Sequence, residues 1–418
     1  MALLGLLCAL PSASGQSIIA PPSANFETQA SSHTLTPQSV PPVLNASNAE
    51  PGIYQWGLVD LHPHFLYRLT YGDGIPSTPT NRVKTAIQEF SPGMLIRIGD
   101  QWTLDYTPTY RLYSSSRFPN YLDELVTLNG RTAYNDWVMT LSQTYSSSDS
   151  PLLETEALTQ QENFLTALSA SRVLGSQFST QFGATQNFRS STVENFSQNI
   201  KEWSGFVSLN DQIWSSFGAS ITGTGGYDLV SPGASMTFEQ AQGAATWTPG
   251  EKFTMTAGAG IEVRQLLGSE LINPIFNAAA TYKPWEHTAA SLRASRTVAP
   301  SFFNDDVIVA TSISADVSQR FLQRFTLDVS GGYSSTPFVG FARVSEFLNF
   351  HEQTQINPTT TVQQSRADTS RFATIRLSTA VRKRGTVSVF YSYLTTSSGL
   401  SAYNFSSTQV GLELGWRY

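Results

Sequence analysis

The chain has 418 residues, of which 13% are charged, 12% are aromatic and 29 are glycine, and its formal net charge is -6. That balance argues against a nucleic-acid binder, which normally carries a clustered basic face. The length admits two ordinary domains or one large barrel, and after the first dozen residues there is no run of ~20 apolar residues to make a transmembrane helix.

Met1 to Leu10 is an apolar run holding the single cysteine, Cys8, and the small residues of Pro11 to Gln16 suit signal-peptidase cleavage. Residues 1–16 therefore read as a signal peptide, although the usual basic start is missing. Leu7 is too large for a lipoprotein cleavage site before Cys8, which argues against a lipid anchor. Cleavage would leave no cysteine, in keeping with export through an oxidising compartment. Residues 17–51, rich in Pro, Ser, Thr and Asn and without periodicity, read as a flexible periplasmic segment.

The texture changes at Tyr54. Val59, Leu61, Pro63, Phe65, Tyr67, Leu69 and Tyr71 alternate with Asp60, His62, His64, Leu66, Arg68 and Thr70. Strand side chains point alternately to the two faces, so this is one long strand with an apolar and a polar side. Pro63 predicts a local distortion within it. Tight joints follow at Gly99-Asp100, Asn135-Asp136, Leu174 to Ser176, Asn210 to Gln212, Pro249 to Glu251, Pro284 to Glu286, Arg320 to Gln323 and Lys383 to Gly385. Their spacing is roughly 35 to 39 residues, the length of two membrane-spanning strands plus one outer loop, apart from a longer last interval.

Eight such hairpins and two terminal strands predict an all-β fold over residues 52–418: a transmembrane, antiparallel, up-and-down β-barrel of 18 strands. Sixteen is the alternative, because residues 122–134 and 197–209 are weakly patterned. A barrel this size is too wide for side chains to fill, which implies an aqueous lumen. Trp102, Trp137, Trp247, Trp285, Trp416 and Tyr418 lie near the short-turn ends of their strands, as in an aromatic girdle at one membrane interface. The long connection over residues 337–368 leaves two arrangements open: a loop folded into the mouth, or one packed on its neighbours as a small extra hairpin.

At the chain's end Val410, Leu412, Leu414, Trp416 and Tyr418 share one strand face. This pattern resembles the closing strand of Gram-negative outer-membrane barrels, whose terminal aromatic is the assembly signal; there the last residue is usually Phe. Together with Phe90 to Arg97 and Tyr282 to Leu292, it resembles a β-barrel porin family found beside exopolysaccharide genes. The resemblance covers most of the chain after residue 52, rests on texture rather than a sharp motif, and supplies no catalytic residues. It implies an outer-membrane location in a Gram-negative bacterium and a channel for passive diffusion of small hydrophilic solutes, with exopolysaccharide export as the alternative. Implied partners are outer-membrane lipid and lipopolysaccharide, the barrel-assembly machinery and periplasmic chaperones; self-association is left open.

Asp60, His62, His64, Arg68, Arg97, Asp105, Arg111, Glu262, Arg264 and Arg376 fall on polar strand faces and are the candidate pore lining. His62 and His64 share a face but have no cysteine beside them, so a hydrated wall is favoured over a metal site. No G-x-S-x-G elbow occurs, and Ser and Asp are too frequent for closeness in sequence to mark a catalytic pair. The expectation is a non-enzyme without a cofactor. Arg382-Lys383-Arg384 reads as a solvated turn.

Overall fold

A computed structural model describes residues 54–75, 83–151, 158–193, 196–266, 268–302, 307–347, 356–382, 384–400 and 403–417. The expected signal peptide and N-terminal segment lie outside them. After a three-residue β1 (Tyr54–Trp56), the strands are β2 (Val59–Ile75), β3 (Val83–Ile98), β4 (Trp102–Tyr113), β5 (Tyr121–Tyr134), β6 (Trp137–Pro151), β7 (Leu158–Leu174), β8 (Phe178–Val193), β9 (Phe196–Trp214) and β10 (Phe217–Ser231). They continue as β11 (Met236–Gly250), β12 (Phe253–Leu266), β13 (Ser269–Trp285), β14 (Thr288–Pro300), β15 (Val307–Phe321), β16 (Phe325–Phe347), β17 (Ile356–Val381), β18 (Gly385–Ser398) and β19 (Phe405–Arg417).

Each strand from β2 onward pairs antiparallel with its neighbours in the chain, and β19 pairs with β2, Arg417 opposite His64 through Gln409 opposite Gly72. The result is a closed barrel of 18 staves. Closure gives every stave a hydrogen-bonded neighbour on each side, as a hydrocarbon surround demands. β1 adds no stave; it pairs with Val59 to Leu61 of β2 alone. Pro63 falls between that pairing and the stretch paired with β19, and the β2–β3 register runs through it unbroken. No register shift marks the distortion expected at Pro63.

The two faces differ as the period of 2 predicts. On β10, Ile221, Gly223, Gly225, Tyr227 and Leu229 are exposed outward, while Thr222, Thr224, Gly226, Asp228 and Val230 point inward. Ile221 is 71% exposed and Ile272 62%. A continuous belt of such residues is untenable in water and suits lipid. Inside, hydroxyls and amides bond across neighbouring staves, as in Ser91–Thr109 (2.8 Å), Ser142–Asn129 (2.8 Å) and Thr222–Ser208 (2.9 Å), and Gln242 of β11 reaches past β12 to Asn277 of β13 (2.9 Å). At the short-turn end Trp137 packs edge-on against Phe182, and Trp214 and Trp247 pair with Phe217 and Phe253.

One sequence expectation needs correction, and one choice left open is decided. Asn210 to Gln212 is not a turn: β9 runs on to Trp214, and a register shift between Phe217 and Ala219 absorbs the extra residues as a bulge. Residues 337–368 do not fold into the mouth as a loop over their described part. They prolong the β16–β17 hairpin, from Pro337 opposite Ala367 to Phe347 opposite Ile356. The weakly patterned segments are both full staves, β5 and β9, which settles the number at 18 rather than 16.

Candidate functional site: the barrel lumen

The inner wall from β17 round to β5 carries an alternating ladder of charge. Arg376 bonds Glu413 Oε2 at 3.0 Å, and Arg68 Nε donates to Glu413 Oε1 at 2.6 Å. Arg68 reaches on to Glu89 at 3.2 Å, Arg111 bonds Glu89 at 2.9 Å, and Arg111 also bonds Asp123 at 2.7 Å. Strand register builds the row, because Glu413 stands opposite Arg68, Arg68 opposite Glu89, and Glu89 opposite Arg111. Three guanidinium groups meet three carboxylates, so this wall is charged but nearly balanced. Each pair is largely shielded by its neighbours, as charges held away from bulk water must be to remain ionised.

Glycines let bulky inner side chains lie flat. A Cβ on Gly93 would sit 2.0 Å from His64 Cε1, and His64 Nε2 reaches Asp105 Oδ1 at 3.0 Å. Inner rings of Phe390, Phe372, Phe238 and Phe206 likewise lie against Gly411, Gly332, Gly226 and Gly183 of adjoining staves, each within 2.8 Å of where a Cβ would stand. This is the aromatic–glycine pairing known from designed sheets. Here it keeps four large rings out of the channel axis. The lumen between the walls is hollow: the inward Leu125 is 44% exposed and the Asp105 side chain 39%.

The outer ends of β14 and β15 turn inward. The β13–β14 pairing stops at Phe276 opposite Arg296, while β14 stays paired with β15 up to Pro300 opposite Val307. Above Arg296 β14 parts from β13 and the hairpin leans across toward staves β8–β13, while Val307 and Ile308 of β15 stay paired with Val339 and Phe338 of β16. Val298, Phe302, Val307 and Val309 pack with the inward-facing Ile200, Val230, Met236, Leu266 and Ile275. Arg189 of β8, six staves away, donates to the Pro300 carbonyl at 3.5 Å, and its guanidinium lies 5.5 Å from the Phe302 ring centre. On the hairpin's other side Ala299 and Ile308 pack on Phe338. The Arg366 guanidinium is stacked between Phe338 at 4.3 Å and Tyr403 at 3.8 Å.

All ten residues expected on the pore wall have inward register, but they do not form one site. Arg68, Arg111 and Arg376 join the ladder, while His64 and Asp105 form a second small cluster. Asp60 and Arg97 stand opposite each other near the short-turn end, with the buried His62 beside them. Glu262 and Arg264 depart from expectation. Both are fully buried, Arg264 bonded to Glu262 at 2.9 Å and to Asp228, with its guanidinium 4.9 Å from the Phe238 ring centre. Sequence reading missed that hairpin, and also Glu89, Asp123 and Glu413 as the ladder's acidic half. Among the described residues no cluster of three His, Cys, Asp or Glu is placed to hold a metal. Of the assembly-signal residues, Val410, Leu412, Leu414 and Trp416 lie on the seam strand β19; Tyr418 lies outside the described residues.

Fold and lumen together define a transmembrane β-barrel with an apolar outside and a hollow, polar inside. Among solved structures the chain is similar to OpdQ of Pseudomonas aeruginosa (9% identity, 86% of this chain and 98% of that one, TM-score 0.46). It is also similar to OpdK of the same organism, solved with vanillate (12% identity, 86% and 98%, TM-score 0.45). The siderophore receptor PirA, again from Pseudomonas aeruginosa, is a third (7% identity, 86% and 80%, TM-score 0.43). No family model matches the chain, and no curated protein does. The barrel assignment accordingly rests on the strand pairing described above.

Proposed function

We infer that the protein is an outer-membrane channel of a Gram-negative bacterium through which small hydrophilic solutes diffuse passively. The observation that carries this reading is the hollow polar lumen inside a closed barrel whose outside is apolar. A balanced charge ladder facing a wall of hydroxyls and amides favours neutral solutes and weak ion preference. Lipid and lipopolysaccharide would contact the apolar belt, and the outward residues of β19 would serve the assembly machinery, since they border the seam that closes last. The reading assigns no reaction and no cofactor to the chain. The resemblance to barrels beside exopolysaccharide genes keeps surface-polysaccharide export as the second reading.

Liposome swelling separates the two. Vesicles carrying the refolded protein should swell in iso-osmotic pentose or hexose, and more slowly as the sugar grows. Correctly inserted protein that leaves vesicles impermeable to pentoses would overturn free diffusion and favour a barrel that opens only with export partners.

A further inference from the structure

We propose that the lumen holds a carbohydrate-binding site, built on the Phe206 ring and taking neutral oligosaccharides; this rests on the channel reading above and names its solute class. The inference starts from the four inner rings that lie on glycines. Each rests against the wall on one side and turns its other side toward the lumen. On two of them that side is taken. The Arg264 guanidinium stands 4.9 Å from the centre of Phe238, and the Arg376 guanidinium 5.8 Å from that of Phe390. Both of those rings are buried. Phe206 and Phe372 are only partly buried, and no cation or second ring stands on either among the described residues.

What surrounds Phe206 sets the ligand. The ring lies over Gly183 of β8, where a Cβ would stand 2.7 Å from it, and faces Thr224 of β10 in register. Gln181 and Thr185 flank Gly183 on the same face of β8, and Thr185 shares a hydrogen bond with the Ser204 hydroxyl. Thr222 donates to Ser208 at 2.9 Å. A hydroxyl has one donor and two lone pairs, so the Thr185–Ser204 pair keeps one O–H for a solute and Thr222 keeps its acceptor capacity. Gln181, Thr185, Ser204, Thr222 and Thr224 are all partly exposed. From the short turns up to this level, the inward positions of β6 to β10 carry no ionisable side chain. Phe372, by contrast, shares its stave with Arg376 of the charge ladder.

This combination matches a neutral sugar. A pyranose offers an apolar face of C–H groups and a rim of hydroxyls. The C–H groups carry partial positive charge and suit the negative face of an aromatic ring. The rim needs donors and acceptors beside that ring, and the surrounding hydroxyls and amide supply them without a fixed charge. Because the ring lies along the wall, a bound sugar slows the flow past it and does not seal the pore.

The test is block of current in planar bilayers by maltotriose at rising concentration, beside a polyethylene glycol of equal hydrodynamic size. Wild type should be blocked saturably by maltotriose. The polyether, which fills the pore but has no stacking face, should reduce current only in proportion to its concentration. Phe206→Ala should raise the half-blocking concentration of maltotriose roughly tenfold, and Phe206→Trp should hold it at or below the wild-type value. Phe206→Leu keeps apolar bulk over Gly183, guards against a folding defect in the alanine variant, and should weaken the block likewise. Phe390→Ala removes a ring already capped by arginine and should be blocked as wild type is. Open steps on which maltotriose and polyether act alike would overturn the site and leave the channel reading intact. So would equal half-blocking concentrations in wild type, Phe206→Ala and Phe206→Leu. No steps from inserted wild-type protein would overturn the channel reading, and the site with it.

Discussion

Replacing Arg68 by alanine is expected to destabilise the barrel by about 3–5 kcal/mol. Arg68 bridges two carboxylates that are almost as buried as itself, Glu413 at 2.6 Å and Glu89 at 3.2 Å. Its removal leaves Glu413 with Arg376 and the Ser388 hydroxyl, and Glu89 with Arg111. The cost is dominated by carboxylate charge left uncompensated at a wall with little access to water, not by the lost attraction itself. Urea titration of the folded fraction in lipid vesicles, read from gel mobility of unheated samples, measures it. A change below about 0.5 kcal/mol, the usual range for exposed surface positions, would mean the ladder is freely hydrated. The same variant tilts the lumen toward negative charge, so its reversal potential should move toward cations.

Ile221→Arg addresses the other face. Ile221 points outward from β10 and is 71% exposed. In a water-soluble protein, arginine at so exposed a site would change stability by no more than about 0.5 kcal/mol. On the lipid face of a barrel it costs about 2–4 kcal/mol near the bilayer midplane. The same urea titration separates these outcomes, with Thr222→Arg on the neighbouring inward position as the control that should be tolerated better. Near-identical stability of Ile221→Arg and wild type would contradict a lipid-facing wall.

Much of the fold is legible in the chain because its two main signals are local. Alternation along β2, β12 and β19 needs no knowledge of partners, and the regular return of tight turns counts the staves. The signal failed where local chemistry imitates another structure. Asn210-Asp211 looks like a turn but sits in a strand that a bulge extends to Trp214. Length alone left the segment after Pro337 open between a constricting loop and an extra hairpin; the strands continue the hairpin, with one register shift between Phe338 and Val339.

The site is harder to read for a different reason. Inward-facing residues can be picked out by alternation, but which of them meet depends on register across staves far apart in sequence. Arg68 and Glu413 are 345 positions apart, and nothing local joins them. The constriction did leave a trace: Val307-Ile308-Val309-Ala310 is apolar at four consecutive positions, which interrupts the alternation of β15. A run without alternation marks a strand buried on both faces, here one that stays paired with β16 while it packs on inward residues of β9 to β13.

The most direct test of a water-filled membrane channel is single-channel recording from detergent-purified, refolded protein in a planar bilayer, repeated under asymmetric salt. Large, stable steps with a reversal potential near zero are expected, because the pore is wide and its charge ladder is balanced. Protein that remains soluble without detergent, never inserts and gives no steps would contradict the account at its root.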